Sequence, residues 1–164
     1  MTDMQKYEPS FRILEGDLFP EVSLKDQHGR MVKLSELKNK FVVFYFYPQD
    51  DTPTCTKEAC NIRDNFASLK RRGIKIFGIS PDSEKSHLKF IEKHQLNFDL
   101  LIDDGHQLAD QLGIWGLKFT FGREYEGLHR VTYVIGQDRR IVKIIYPVES
   151  GIHAQQIIDA VHAR

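Results

Sequence analysis

Only two cysteines occur in the 164 residues, Cys55 and Cys60, both within the stretch DDTPTCTKEAC. Two cannot build the disulfide framework of a small secreted domain. They are too few for a four-thiolate zinc site, and no closely spaced histidine pair lies nearby to complete one. The seven histidines are scattered without metal-ligand spacing, so they read as solvent or packing residues, and no metal or other cofactor is expected. A surplus of either charge is missing too: 23 Lys plus Arg balance 23 Asp plus Glu. A strong nucleic-acid binder shows a basic excess, so that partner is not expected. The longest uninterrupted apolar run, Phe41 to Tyr47, falls far short of the ~20 residues that span a bilayer, so no membrane partner is expected either. Met1 to Glu15 interleaves Asp3, Lys6, Glu8, Arg12 and Glu15, unlike the apolar core of a secretory signal. The chain therefore reads as soluble and cytoplasmic. Repeats and Gly/Ser linkers are lacking as well. What is present is ordinary, with 41% apolar and 28% charged residues, a globular composition. One domain over residues 1–164 fits this length, with 1–15 as a flexible polar lead.

Periodicity supplies the elements. Val22-Ser23-Leu24 and Met31-Val32-Lys33 flank a turn-rich stretch and predict a hairpin with a loose loop over Lys25 to Arg30. Phe41 to Tyr47 is apolar throughout, as suits a strand buried on both faces. Ile74 to Ile79 is a second such strand, and Val131 to Ile135 with Ile141 to Ile145 predict a second hairpin. After Cys55, apolar positions recur at Ala59, Ile62, Phe66 and Leu69. That is one helical face, with Gly73 as its C-cap. Further helices are predicted over Ser83 to His94, where Leu88, Phe90 and Ile91 supply the apolar side, over His106 to Leu112, and over Ile152 to His162. Strands alternating with helices imply an α/β sandwich with a mixed sheet.

The segment Tyr47-Pro48-Gln49-Asp50-Asp51-Thr52-Pro53-Thr54-Cys55 joins a buried strand to a helix. A thiol in a first helical turn faces free backbone N–H groups and the positive end of the helix dipole, and both favour the thiolate. The thiolate is the nucleophile, so Cys55 is a candidate for attack on an electrophile; a cysteine on an apolar helix face is also a common small core residue. In an ideal helix, residues five apart have Cα atoms roughly 8.7 Å apart. A disulfide wants them within about 7 Å. A Cys55–Cys60 bond therefore requires the first helical turn to unwind, unless Cys60 only packs on its own side of the helix.

Pro48-x3-Thr52-x2-Cys55, with Cys60 in Thr56-Lys57-Glu58-Ala59-Cys60, resembles the signature of the peroxiredoxins, in their bacterioferritin-comigratory or Q-type subgroup. The resemblance runs from about Leu18 to the C-terminus and includes Asn61-Ile62-Arg63-Asp64, Gly78-Ile79-Ser80, Gly113-Ile114-Trp115-Gly116 and Gly127-Leu128-His129-Arg130. It implies a thioredoxin-like fold and reduction of hydrogen peroxide and alkyl hydroperoxides at the expense of thioredoxin or a similar dithiol. It further implies that Cys55 is the peroxidatic cysteine, Cys60 the resolving one, Thr52 the hydroxyl that orients the peroxide, Pro48 the residue that shields the pocket, and Arg130 the active-site arginine. These types suit the chemistry. Arginine supplies fixed donors and positive charge for a developing oxyanion. A threonine hydroxyl both donates and accepts. Condensation of a sulfenic acid with a second thiol guards against over-oxidation. Resolution within one chain needs no second subunit, so a monomer is expected.

Thr54 stands where this subgroup frequently has glycine, which bears on access and on unwinding. Asp50 and Asp51 bring negative charge close to the thiolate, or else cap the helix in solvent. Glu58 reads first as a complement to the helix dipole, with a place in a hydrogen-bond network as the second reading. Trp115 is either core or pocket wall, and Leu117 to Gly122 reads as an apolar-rich loop beside the site. Two other functions fit the same residues: a thioredoxin-type oxidoreductase, although its usual spacing is Cys-x2-Cys, and a non-enzymatic peroxide sensor.

Overall fold

The computed structural model describes residues 3–163. A seven-stranded sheet carries the order β2-β1-β5-β4-β3-β8-β9. Its centre is β3 (Phe41–Phe46), flanked by β4 (Ile74–Ser80) in parallel and by β8 (Val131–Gly136) in antiparallel pairing. Outward lie β5 (Asp99–Ile102), parallel to β4, and β1 (Ser23–Asp26), antiparallel to β5 and paired in turn with β2 (Met31–Lys33). On the other side β9 (Ile141–Ile145) closes the second hairpin with β8. This is a thioredoxin-like mixed sheet with an N-terminal hairpin, flanked by helices.

Strand β3 is buried at every residue, and its alternation divides the core in two. Val43 and Tyr45 enter one cluster with Ile76 and Leu100, covered by α1 (Pro53–Asp64), α2 (Phe66–Arg71), α3 (Glu84–His94) and α5 (His153–His162). Val42, Phe44 and Phe46 enter the other, with Phe77, Tyr133 and α4 (Gln107–Leu112). A strand covered on both faces has no reason to alternate polar with apolar residues, which is why it reads as a continuous run. Gly78 lets Tyr45 lie against β4, because a Cβ there would stand 2.9 Å from the Tyr45 ring and hydroxyl.

The first hairpin has the expected loop longer than a two-residue turn, and one oxygen of the Asp26 carboxylate pins it by accepting the backbone N–H groups of His28 and Arg30. Several details depart from the sequence reading. The long helix after Cys55 is two, broken at Asn65, where φ and ψ are −110° and 10°. In α3 it is His87 and Phe90 that are buried, while Leu88 is exposed. Leu117 to Gly122 is not a loop. It belongs to a hairpin of β6 (Trp115–Thr120) and β7 (Arg123–Leu128), turned by Phe121 and Gly122, both at positive φ. Trp115 packs with the second cluster, away from Cys55, and its ring stacks on His106. The polar lead is tied down over part of its length. Ser10 and Arg12 donate backbone N–H groups to the carbonyls of Gly113 and Leu112, and Phe11 and Ile13 pack on the second cluster. Gly113 permits this docking, since a Cβ there would sit 2.0 Å from the Ser10 carbonyl oxygen. Residues 1–2 lie outside the described residues.

Candidate active site

The C-terminal end of β3 passes through the half-buried Pro48 into a loop that ends at Thr52, the N-cap of α1. Pro53 opens the helix, where its missing N–H costs nothing. Cys55 is then the third residue of α1. It is buried in the first core cluster and its thiol is free, as is that of the half-buried Cys60 in the same helix. The Thr52 hydroxyl does not cap the helix. It donates to the Gln49 carbonyl at 3.1 Å, leaving its lone pairs toward other donors. Thr54 is exposed beside it.

Arg130 reaches this place through strand register. Phe46, the last residue of β3, pairs with Val131, the first of β8. Arg130 therefore stands next to the Tyr47–Pro48 segment, and the backbone before it is fixed by the His129 N–H donating to the Ile114 carbonyl. Its guanidinium divides its donors: Nη2 lies 3.3 Å from the Cys55 sulfur and Nη1 lies 2.6 Å from Glu58 Oε1. Burial works against the guanidinium charge, but Glu58 and Cys55 more than offset it and Arg130 is held above its usual value. A cleft of about 340 Å³ opens over Arg130, walled by Lys118, Phe119, Tyr146 and Val148. A larger cleft, lined by Lys40, Arg72 and His162, lies at the opposite end of β3, away from the cysteines.

Glu58 takes the second of its two readings. It is no mere dipole complement but is fully buried on the same face as Cys55, Ala59 and Ile62, within a hydrogen-bond network. Burial raises its carboxyl to about 7, against the pull of Arg130. Behind it stands His153, also fully buried, with Nδ1 3.2 Å from Glu58 Oε2 and Nε2 2.8 Å from the Thr132 hydroxyl. Burial drives this imidazole down to about 3, helped by the positive charge of Arg130. Sequence reasoning passed over His153, although it shares the apolar stripe of α5 with Ile157 and Val161 at helical spacing. A titratable residue on an apolar stripe was the available signal in both cases.

The two aspartates also differ from expectation. Both turn toward α3. Asp50 is buried and accepts from the hydroxyls of Tyr47 and Ser86, at 2.6 and 2.8 Å, and meets His87 Nδ1 at 2.7 Å. Asp51, at a positive φ of 59°, pairs with Lys93 and His94 on the surface, and both hydrogen bonds hold its carboxyl below the usual range. Neither charge faces the sulfur uncompensated. Asp50, Asp82 and His87 bring potential ligand atoms within 4.8 Å of one another. Those atoms are committed to each other and to neighbours: Asp82 Oδ2 accepts both the Asp50 N–H and the Ser80 hydroxyl. They form a bonded network rather than an open ligand set.

The arrangement is a thiol in a helix's first turn, with a fixed cation on its sulfur and a hydroxyl nearby. The chain as a whole is similar to known proteins. The AhpC/TSA family model matches residues 16–144. A peroxiredoxin Bcp of Bacillus subtilis is 48% identical over 144 residues, covering 88% of this chain and 92% of that protein. The peroxidoxin BcpB structure from Mycobacterium tuberculosis superposes with a TM-score of 0.82 at 31% identity, covering 93% of this chain and 98% of that one. The Xanthomonas campestris bacterioferritin comigratory protein, studied for its alkyl peroxide reduction, gives 0.81 at 26% identity, covering 94% and 98%. The chain belongs to the AhpC/TSA family, among the thiol-dependent peroxidases of the Bcp or Q-type peroxiredoxins.

Proposed function

We propose that this protein reduces hydrogen peroxide and organic hydroperoxides through Cys55, resolves the product with Cys60 and is recycled by thioredoxin or a similar dithiol. The observation that carries this reading is the Cys55 sulfur, at the start of α1, held 3.3 Å from an arginine that a buried carboxylate orients. The Cys55 thiolate attacks the distal oxygen of ROOH. The S–O bond forms as O–O breaks, and the leaving RO⁻ takes a proton to become ROH. Arg130 donates to the developing oxyanion. The Thr52 hydroxyl, whose proton goes to the Gln49 carbonyl, accepts from the peroxide O–H, and Pro48 limits water without offering a competing donor.

Cys55 is now a sulfenic acid. Attack by the Cys60 thiol forms the disulfide and releases water. Both cysteines lie inside α1, so this step needs the first turn of the helix to unwind. Two thiols of an external dithiol then reduce the disulfide by exchange. No cofactor enters these steps. A monomer suffices, because both cysteines lie in one chain, and a reducing cytoplasm suits a pair of free thiols.

The test is NADPH consumption with thioredoxin reductase and thioredoxin, started by hydrogen peroxide or cumene hydroperoxide. The wild type turns over and Cys55→Ser does not. Cys60→Ser consumes one equivalent of peroxide and then stalls. Full turnover in Cys55→Ser would sink the reading. Rapid reduction of insulin disulfides without peroxide turnover would instead mark a thioredoxin-type oxidoreductase, and a Cys55–Cys60 disulfide with no turnover a sensor.

A further inference from the structure

Behind the thiol and its arginine lies a third layer. Arg130 is fixed by one oxygen of Glu58. The other oxygen, Oε2, and the Nδ1 of His153 are both buried without any hydrogen bond of good alignment among the described residues, and they lie 3.2 Å apart. Buried polar atoms are seldom left unpartnered, and each of these has the other as its available mate. The far nitrogen of His153 meets the Thr132 hydroxyl at 2.8 Å. A hydroxyl can donate to it, which leaves the proton of a neutral imidazole on Nδ1, facing the carboxylate. The remaining ionisable neighbours are Tyr45, whose ring stands edge-on to His153 with centroids 5.3 Å apart and whose hydroxyl is unpartnered, and the charges of Arg130 and Cys55. His153 belongs to α5 and Thr132 to β8, so the C-terminal helix and the central sheet together reach the peroxidatic centre.

We propose that His153 is a positioning residue for peroxide reduction: its neutral imidazole holds Glu58 ionised and oriented, so that Glu58 in turn holds Arg130 at the Cys55 sulfur. The inference rests on the peroxidase reading for its rate measurement, but not for its structural one. Burial alone pulls Glu58 toward the protonated form, with its titration at about 7, and a protonated Glu58 grips Arg130 less firmly. Removing the Nδ1 donor makes protonation easier still. The acid limb of the peroxide reaction then moves to higher pH, while alkylation of the same sulfur, which draws on Arg130 only to favour the thiolate and has no leaving oxygen for it to serve, follows by less.

The experiment uses full-length protein with Cys60→Ser as the common background, so that one thiol is read. Peroxide consumption in a single turnover and iodoacetamide alkylation of Cys55 are each followed from pH 5 to 9. His153→Leu removes the donor at similar volume; His153→Asn returns an N–H near the position of Nδ1. Circular dichroism and Tm establish that each variant is folded. In His153→Leu the peroxide limb moves up by about one pH unit, roughly a tenfold loss of rate below the limb, while the alkylation limb moves by clearly less, and His153→Asn recovers most of the loss. A folded His153→Leu with an unmoved peroxide limb would overturn the proposal, as would equal displacement of both limbs. If Leu does not fold, His153→Met, which also lacks the donor, takes its place: a limb displaced upward supports the proposal and a wild-type one overturns it. If the wild type consumes no peroxide, the peroxidase reading falls first. The pH dependence of the Arg130 Nε–H signal in NMR then tests the hold of Glu58 on Arg130 by itself. Its inflection moves upward in His153→Leu if the proposal holds and stays unmoved if it fails.

Discussion

Two buried histidines each meet an acidic side chain, and they differ in what the far ring nitrogen meets. His87 puts Nε2 against the Leu101 carbonyl and Nδ1 against Asp50. The carbonyl only accepts, and Asp50 also accepts from two hydroxyls. Both ring nitrogens of His87 and both carboxyl oxygens of Asp50 are thus engaged. His153 puts Nε2 against a hydroxyl and needs just one proton. The group at the far nitrogen decides which kind of pair results. His87–Asp50 is a fully bonded pair that bolts the loop before Thr52 to α3. His153–Glu58 is an under-bonded pair whose charge can change, and it backs the arginine that touches the sulfur.

The strongest way to break the comparison is at the arginine. Arg130→Met removes a fixed donor from the reacting atoms and is expected to slow the peroxide reaction by about 10²–10³-fold. The network at His87 is untouched, so a fall of that size from an unrelated change in the α3 contacts would blur the distinction. Asp50→Asn comes next and acts on stability. It puts an amide where the carboxyl meets Tyr47, Ser86 and His87, leaving a buried polar group unmatched at a cost of about 1–3 kcal/mol, read as a lower Cm in urea. An unchanged Cm would contradict the bonded network.

The pH dependence of stability separates the two sides of the Glu58–His153 pair. Glu58 is raised from 4.5 to about 7 by burial, so the folded protein binds more protons there, and this group alone makes stability fall as pH rises through that window. His153 is lowered from 6.5 to about 3 by burial, so the unfolded chain binds more protons, and this group makes stability rise with pH between those values. The two slopes oppose each other from pH 4.5 to 6.5. Glu58→Gln is expected to leave the rising slope uncovered, and His153→Leu the falling one, in urea melts at pH 4.5, 5.5 and 6.5. Unchanged slopes in both would mean the pair does not titrate as described. The smallest effect belongs to Lys93→Ala. Its partner Asp51 lies on the surface, where such pairs contribute little, so Tm is expected to stay within error.

Much of the site could be read from residue order because it is local. Pro48, Thr52 and Cys55 lie in one strand-to-helix turn, and the position of a cysteine in a first helical turn follows from caps and apolar spacing. The β6–β7 hairpin was harder. Its apolar residues alternate weakly, and the positive-φ turn at Phe121-Gly122 offers no Asn-Gly or Asp-Gly signal. Strand β5 is only four residues long, too short for periodicity to declare itself. Asp50 and Asp51 were misplaced because their partners, on α3, lie more than thirty residues away.

The sequence by itself determined the elements that depend on near neighbours: a both-faces-buried β3, a helix with Cys55 in its first turn, the two outer hairpins and the spacing of the two cysteines. Arg130 as the arginine at the sulfur came from resemblance, since nothing local in Leu-His-Arg-Val points at residue 55. Only the tertiary structure decided what lies behind it. The Phe46–Val131 register brings Arg130 to the thiol, and the packing of α5 brings His153 to Glu58. Burial then changes the chemistry of both groups, because a charge removed from water depends on whatever partners the fold supplies.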